Sequence, residues 1–122
     1  MRAFLLLTVL GCALVAAVPG LRAGDVEKGR QIFASCGVCH AVTSENKTGP
    51  GLFRIVGRKA GTGPGFRYSR AMKHAKIVWD ANSLDAYLAD PQGMVPGNIM
   101  PFPGLPNDQQ RKDLVAYLQT LK

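Results

Sequence analysis

Cys36-Gly37-Val38-Cys39-His40 brings two thiols and an imidazole into one five-residue string. At this spacing each thiol can add to one vinyl group of the same porphyrin edge, while the adjacent imidazole is carried beneath the ring plane to ligate iron. The string therefore predicts one covalently attached haem c with His40 as an iron ligand. Two rival readings fail on context. A dithiol redox pair belongs in a strand-helix-strand setting that the sequence does not pattern. A structural zinc needs four ligands, and past His40 only His74 remains among the usual nitrogen and sulfur donors. A disulfide across so short a segment would be a poor staple, because closing it removes little unfolded-state entropy.

Iron held by His40 leaves a sixth position. A thioether there is a soft, neutral donor that favours the ferrous state and raises the reduction potential. Met72 falls on a helical pattern and reads as core filler. Met94 and Met100 lie between Pro91 and Pro106, where five of sixteen residues are proline. Met100, with Gly97 before it and Pro101-Phe102-Pro103 after it, is the preferred ligand, and a packed loop methionine is the alternative. His74 is expected to point to solvent from a short helix.

The elements that must position these groups are helical, and no alternating strand pattern of useful length appears. A first helix is expected from Asp25 as N-cap to about Cys36, with Val26, Gly29, Ile32 and Phe33 on one stripe. A last helix is expected from Asn107 or Asp108 to the chain end, with Leu114, Val115, Leu118 and Leu121 on its apolar side and Tyr117 nearby. Gly29 is costly inside a helix unless another backbone approaches there, so it marks the crossing of these two helices. Shorter helices are expected over Ser69 to Ala75 and Asp80 to Ala89. Between them the chain is of two characters. Gly49 to Gly65 holds six glycines in seventeen residues and reads as wrapped turns, whereas Pro91 to Pro106 reads as held extended by fixed φ angles.

With 122 residues there is room for one small domain. The run from Ala3 to Val18 carries no charge and follows Arg2, which reads as a secretory signal peptide over residues 1–23 ahead of a domain over 24–122. Cleavage is favoured after Ala23, with Ala17 as the alternative. The sixteen-residue run is shorter than the ~20 residues of a spanning helix, so an uncleaved anchor is the lesser reading. Composition, 47% apolar and 19% charged, excludes a disordered chain and a polytopic membrane protein.

The chain from Gly24 to Lys122 resembles class I cytochromes c, close to the mitochondrial proteins and their short bacterial periplasmic relatives. The resemblance is carried by Gly24-Asp25-Val26-Glu27-Lys28-Gly29, the Cys36–His40 string, Lys47-Thr48-Gly49-Pro50-Gly51-Leu52, Val56-Gly57-Arg58-Lys59 and Pro64-Gly65-Phe66-Arg67-Tyr68. It continues through Trp79, Tyr87-Leu88, Val95-Pro96-Gly97-Asn98-Ile99-Met100 and Asp113-Leu114-Val115-Ala116-Tyr117-Leu118. It implies an all-α fold in which N- and C-terminal helices cross and short helices and loops wrap one covalent haem. It implies His40 and Met100 as axial ligands, the Pro50 carbonyl on the His40 ring N–H, and Arg58, Tyr68 and Trp79 around a haem propionate. It also places Tyr87 against the Met100 sulfur and Phe102 beside the haem.

Departures from that pattern carry information. Met72 stands where an amide side chain is usual near the inner propionate. Asn98 and Ile99 replace a usual Thr-Lys pair, Asn98 keeping a polar group for a propionate and Ile99 losing a charge. The formal net charge is +7, with Arg2 and Arg22 in the leader, and every charged side chain from Asn46 to Trp79 is a base. From Ile77 to Gln110 there is no Lys or Arg, and Ser35, Gln92, Gly93, Ile99 and Pro106 occupy places where the mitochondrial proteins commonly present docking lysines. Nucleic acid is not an expected partner, since no recognition helix or aromatic platform is patterned and the leader exports the chain. The expectation is a monomeric, soluble, periplasmic one-electron carrier, not an enzyme, that docks transiently on larger membrane redox complexes of a respiratory or photosynthetic chain or on a dehydrogenase. The rivals are a haem peroxidase and a gas-binding module, each needing Met100 off the iron.

Overall fold

Asp25 accepts the backbone N–H of Lys28 at 3.0 Å and so opens α1, Val26–Cys36. The computed structural model to which this helix belongs describes residues 22–122; the leader expected over 1–23 lies outside the described residues but for its last two. Side-chain caps start three further helices at or next to the residues the sequence singles out. Ser69 opens α2, Arg70–His74, Asp80 with Ser83 forms a capping box ahead of α3, Ala81–Ala89, and Asn107 opens the last helix, Asp108–Leu118.

Between these lies a helix that proline counting hides. Asp90 accepts the Gly93 N–H at 2.9 Å and Pro91 occupies the first turn of α4, Pro91–Met94. The missing N–H of proline costs nothing there, and its fixed φ suits a helix start. The expectation of an extended Pro91–Pro106 segment is corrected over its first four residues. The last helix is then α5.

The first and last helices cross at Gly29. A Cβ added there would fall on the Asp113 carbonyl and lie 2.8 Å from the Tyr117 Cβ, so only hydrogen permits the approach. Beside the crossing the Phe33 and Tyr117 rings lie 5.3 Å apart, and the Asp25 N–H donates to Asp113 at 2.8 Å. Val26 departs from the expected stripe: it sits one turn ahead of Gly29 and is 46% exposed. α5 also ends sooner than expected. Past Leu118 the chain turns tightly, with Leu121 N–H on the Leu118 carbonyl and the Leu121 carbonyl taking the Arg54 N–H at 2.8 Å.

No strand forms among the described residues. An isolated antiparallel bridge pairs Lys59 with Val78, and reciprocal bonds join Gly57 to Trp79 and Trp79 to Arg58 at 2.7 and 3.0 Å. These tie the glycine-rich loop to the entrance of α3. Gly57, Gly61 and Gly65 each take positive φ, as the reading of Gly49–Gly65 as turns requires. Ile55, Trp79, Leu84, Tyr87, Leu114 and Leu118 form the buried centre that α3, α5 and this loop share.

Candidate haem site

The Cys36 carbonyl that ends α1 accepts the N–H groups of both Cys39 and His40, at 3.0 and 2.9 Å. One tight turn therefore gathers two thiols and the imidazole. Both cysteines are free and half-buried, and burial pushes the Cys36 thiol up from its ordinary value. Cys39 and His40 line an apolar cavity closed on other sides by Leu52, Ile55, Met72, Leu84, Leu88 and Leu118.

His40 is held as a metal-binding imidazole needs to be. Its Nδ1 lies 2.8 Å from the Pro50 carbonyl oxygen. A carbonyl only accepts, so Nδ1 carries the proton and Nε2 is left bare as a donor to a metal. Gly49 makes the fit possible, since a Cβ there would stand 2.5 Å from His40 Cε1. Gly49 is itself fixed by donating to the Cys39 carbonyl at 2.8 Å.

Met100 lines the same cavity, while Met94, at the end of α4, packs half-buried against the core and does not. Met72, on α2, is buried and lines the cavity as well. His74 is exposed, with Nδ1 2.8 Å from the Arg70 carbonyl, and lies away from the cavity.

Arg58, Tyr68 and Trp79 all line the cavity. Arg58 donates to the Gly51 carbonyl at 2.9 Å, the Tyr68 hydroxyl accepts the Gly63 N–H at 3.1 Å, and Trp79 packs 5.1 Å from the Tyr87 ring. Lys59, Phe66 and Ser69 join the lining. These three were not singled out as site residues; Phe66 and Lys59 are readable only as neighbours of Tyr68 and Arg58.

For three residues to which the resemblance gives roles at the haem, the contacts here are with the chain itself. The Tyr87 hydroxyl has one proton, and burial pushes its pKa up to about 12; that proton goes to Asn98 Oδ1 at 3.3 Å and not to the Met100 sulfur. Asn98 lines the cavity but spends both amide N–H groups on the Pro91 and Val95 carbonyls, each at 2.9 Å, leaving none for a propionate. Phe102 is half-buried outside the cavity lining, its N–H on the Met100 carbonyl at 2.8 Å.

Free thiols one turn apart, an imidazole whose tautomer is set by a carbonyl, and an apolar wall bearing a thioether suit a covalently held porphyrin. The donor set thus defines a haem protein of the electron-carrying kind. The sequence profile of the family described as "Cytochrome c" matches residues 26–122. Cytochrome c2 of Rhodomicrobium vannielii is 45% identical over 116 residues, covering 93% of each chain. Cytochrome c of Euglena viridis is 45% identical over 81% of this chain and 99% of its own. The solved structure of cytochrome cH from Methylobacterium extorquens superposes with a TM-score of 0.77 at 42% identity, over 80% of this chain and 99% of that one. The chain belongs to the cytochrome c family: it has that family's all-α fold, binds one covalently attached haem c and carries electrons.

Proposed function

We propose that His40 and Met100 are the two axial ligands, that Cys36 and Cys39 hold the porphyrin through thioether bonds, and that Arg58, Tyr68 and Trp79 face its propionates. The observation that carries this reading is that His40, with Nδ1 committed to Pro50, and Met100 line one cavity while Met94 does not. When bound, the haem supplies a one-electron Fe(III)/Fe(II) couple. The chain's own part is to fix that couple and protect it. The Pro50 carbonyl orients His40 and strengthens it as a donor. Met100 and the apolar wall favour the reduced state. With both axial positions filled by side chains, no position is left for a substrate, and the protein is a carrier without enzymatic turnover.

The setting follows from the leader. Residues 1–23 act as a signal peptide cut after Ala23, and the chain works in the periplasm as a monomer. The alignment with the Rhodomicrobium vannielii protein reaches into residues 1–23, since 93% of the chain is more than residues 24–122 supply, as a leader common to both chains would. Among the described residues no helix is long and apolar enough to cross a membrane. Partners are larger membrane redox complexes of a respiratory or photosynthetic chain, or a dehydrogenase, met by transient docking at the cavity mouth. There Ile99 is 66% exposed and Pro101 lies beside it. The bases Arg67, Arg70, Lys73 and Lys76 are exposed on and around α2 and steer the approach.

The test is the ferric holoprotein. It should show the Met–Fe(III) charge-transfer band near the red end of the visible spectrum, a reversible one-electron wave in voltammetry, and negligible peroxidase turnover. Strong turnover without the band would turn the reading to the peroxidase. Deleting the gene and finding which electron-transfer reaction stops then identifies donor and acceptor.

A further inference from the structure

Four hydrogen bonds converge on the side chain of Asn98, which is 6% exposed. Its amide nitrogen donates to the carbonyls of Pro91 and Val95, at 2.9 Å each. Its oxygen accepts from the Tyr87 hydroxyl at 3.3 Å and from the backbone N–H of Met100 at 3.0 Å. A primary amide has two donor hydrogens and two acceptor lone pairs, so every one is used. The four partners lie on α3, on α4, just past α4 and on Met100 itself. Gly97, at φ +87°, turns the chain so that Asn98 faces inward while Ile99 faces out.

We propose that Asn98 is the latch of the sixth-ligand loop: a positioning residue that ties the Met100 backbone to α3 and α4, and so sets how often the thioether leaves its position. Among the described residues no other side-chain hydrogen bond reaches the Met100 backbone N–H, and none reaches its sulfur. Removing Asn98 therefore frees Met100 locally while α1, α5 and the His40 turn stay in place. The proposal rests on the reading of Met100 as the sixth ligand.

The experiment uses ferric holoprotein and imidazole, which takes the sixth position only when Met100 has moved away. Asn98→Ala should raise the rate of imidazole binding roughly tenfold or more, as loss of several buried hydrogen bonds implies. It should also make the Met–Fe(III) band melt well below the loss of helical circular dichroism. Val115→Ala, a core truncation on α5 away from the cavity lining, supplies the comparison: it lowers the unfolding midpoint but leaves the imidazole rate near wild type. A merely structural role for Asn98 would move both variants alike, and that result overturns the latch. If Asn98→Ala does not yield folded holoprotein, Asn98→Ser, whose shorter side chain keeps one polar group but not the reach, carries the same comparison. If the wild-type protein lacks the band, or Met100→Ala retains it, Met100 is not the ligand and both readings fall.

Discussion

The His40 and Met100 walls of the cavity hold the two proposed ligands by different means. On the His40 wall the ring itself is gripped, by the Pro50 carbonyl at 2.8 Å and by Gly49 packed against its face, and the chain just ahead of it bears Cys36 and Cys39. On the Met100 wall the sulfur accepts no hydrogen bond among the described residues, and what is held is the backbone, through Asn98 and, across the same turn, Gln92, which donates to the Asn98 carbonyl at 2.9 Å. A ligand gripped at its ring is hard to displace. A ligand held through its loop leaves whenever the loop opens, so with His40 and Met100 as the proposed ligands, exchange is confined to the Met100 side.

Met100→Ala should show this asymmetry at its largest. It should abolish the Met–Fe(III) band and lower the reduction potential by roughly a tenth of a volt or more, within the ~0.8 V that axial ligands span. Met94→Ala should leave both nearly unchanged, and spectroelectrochemistry checks the pair. On the opposite wall Gly49→Ala forces a methyl into the His40 ring. It should destabilise the holoprotein by about 1–3 kcal/mol in denaturant titration, as overpacking does, while the sulfur ligand stays bound. Gln92→Ala tests the other wall more gently. Its side chain is exposed, so the loss should be about 0.5–1.5 kcal/mol, seen as an earlier thermal loss of the band.

Asp113 stands outside both walls and calibrates them. The Asp25 N–H, and after it Gln109, hold its carboxyl below the usual carboxylate range. Because the folded value is the lower one, the stability it contributes is present above the unfolded pKa and is lost as pH falls through the folded one. Asp113→Asn should flatten the acid limb of the stability curve and leave the band's temperature dependence unchanged; a shift in the band would mean that the helix crossing and the Met100 wall are coupled. The smallest effect expected is that of salt on electron transfer with the native partner. With Ile99 and Pro101 as the contact and Arg67, Arg70, Lys73 and Lys76 on and around α2 outside the cavity lining, the second-order rate should fall less than about tenfold up to near-molar ionic strength, since charges beyond ~8 Å are screened in physiological salt. A fall of several decades would show that the contact face is charged.

The caps at Asp25, Ser69, Asp80 and Asn107 were legible because capping is chemistry between residues two or three apart. The crossing at Gly29 was legible because a glycine between helical neighbours has few other uses. α4 is hidden for an equally local reason: a count of prolines does not say which one stands first in a turn. What no spacing could reveal was where Tyr87 spends its proton. Tyr87 and Asn98 are on different elements, and the choice between the Met100 sulfur and the Asn98 oxygen depends on where Gly97 turns the chain. The Cys36–His40 string and Met100 could be named from the sequence, whereas the hydrogen bonds that Tyr87 and Asn98 make could not.

The contact between Asp25 and Asp113 joins positions 88 residues apart in sequence, which makes nearly the whole described chain a single ring. Closing a ring of that length costs on the order of 4 kcal/mol of chain entropy, because the cost grows only with the logarithm of length. Once it is closed, every later contact is made by a segment already tethered at both ends. The helices that never touch the iron thus do their work in the free energy of search: they shorten the distances over which the Cys36 turn and the Met100 loop must find each other, and a chain with its clasp undone by a side chain at Gly29 would face that search at full length.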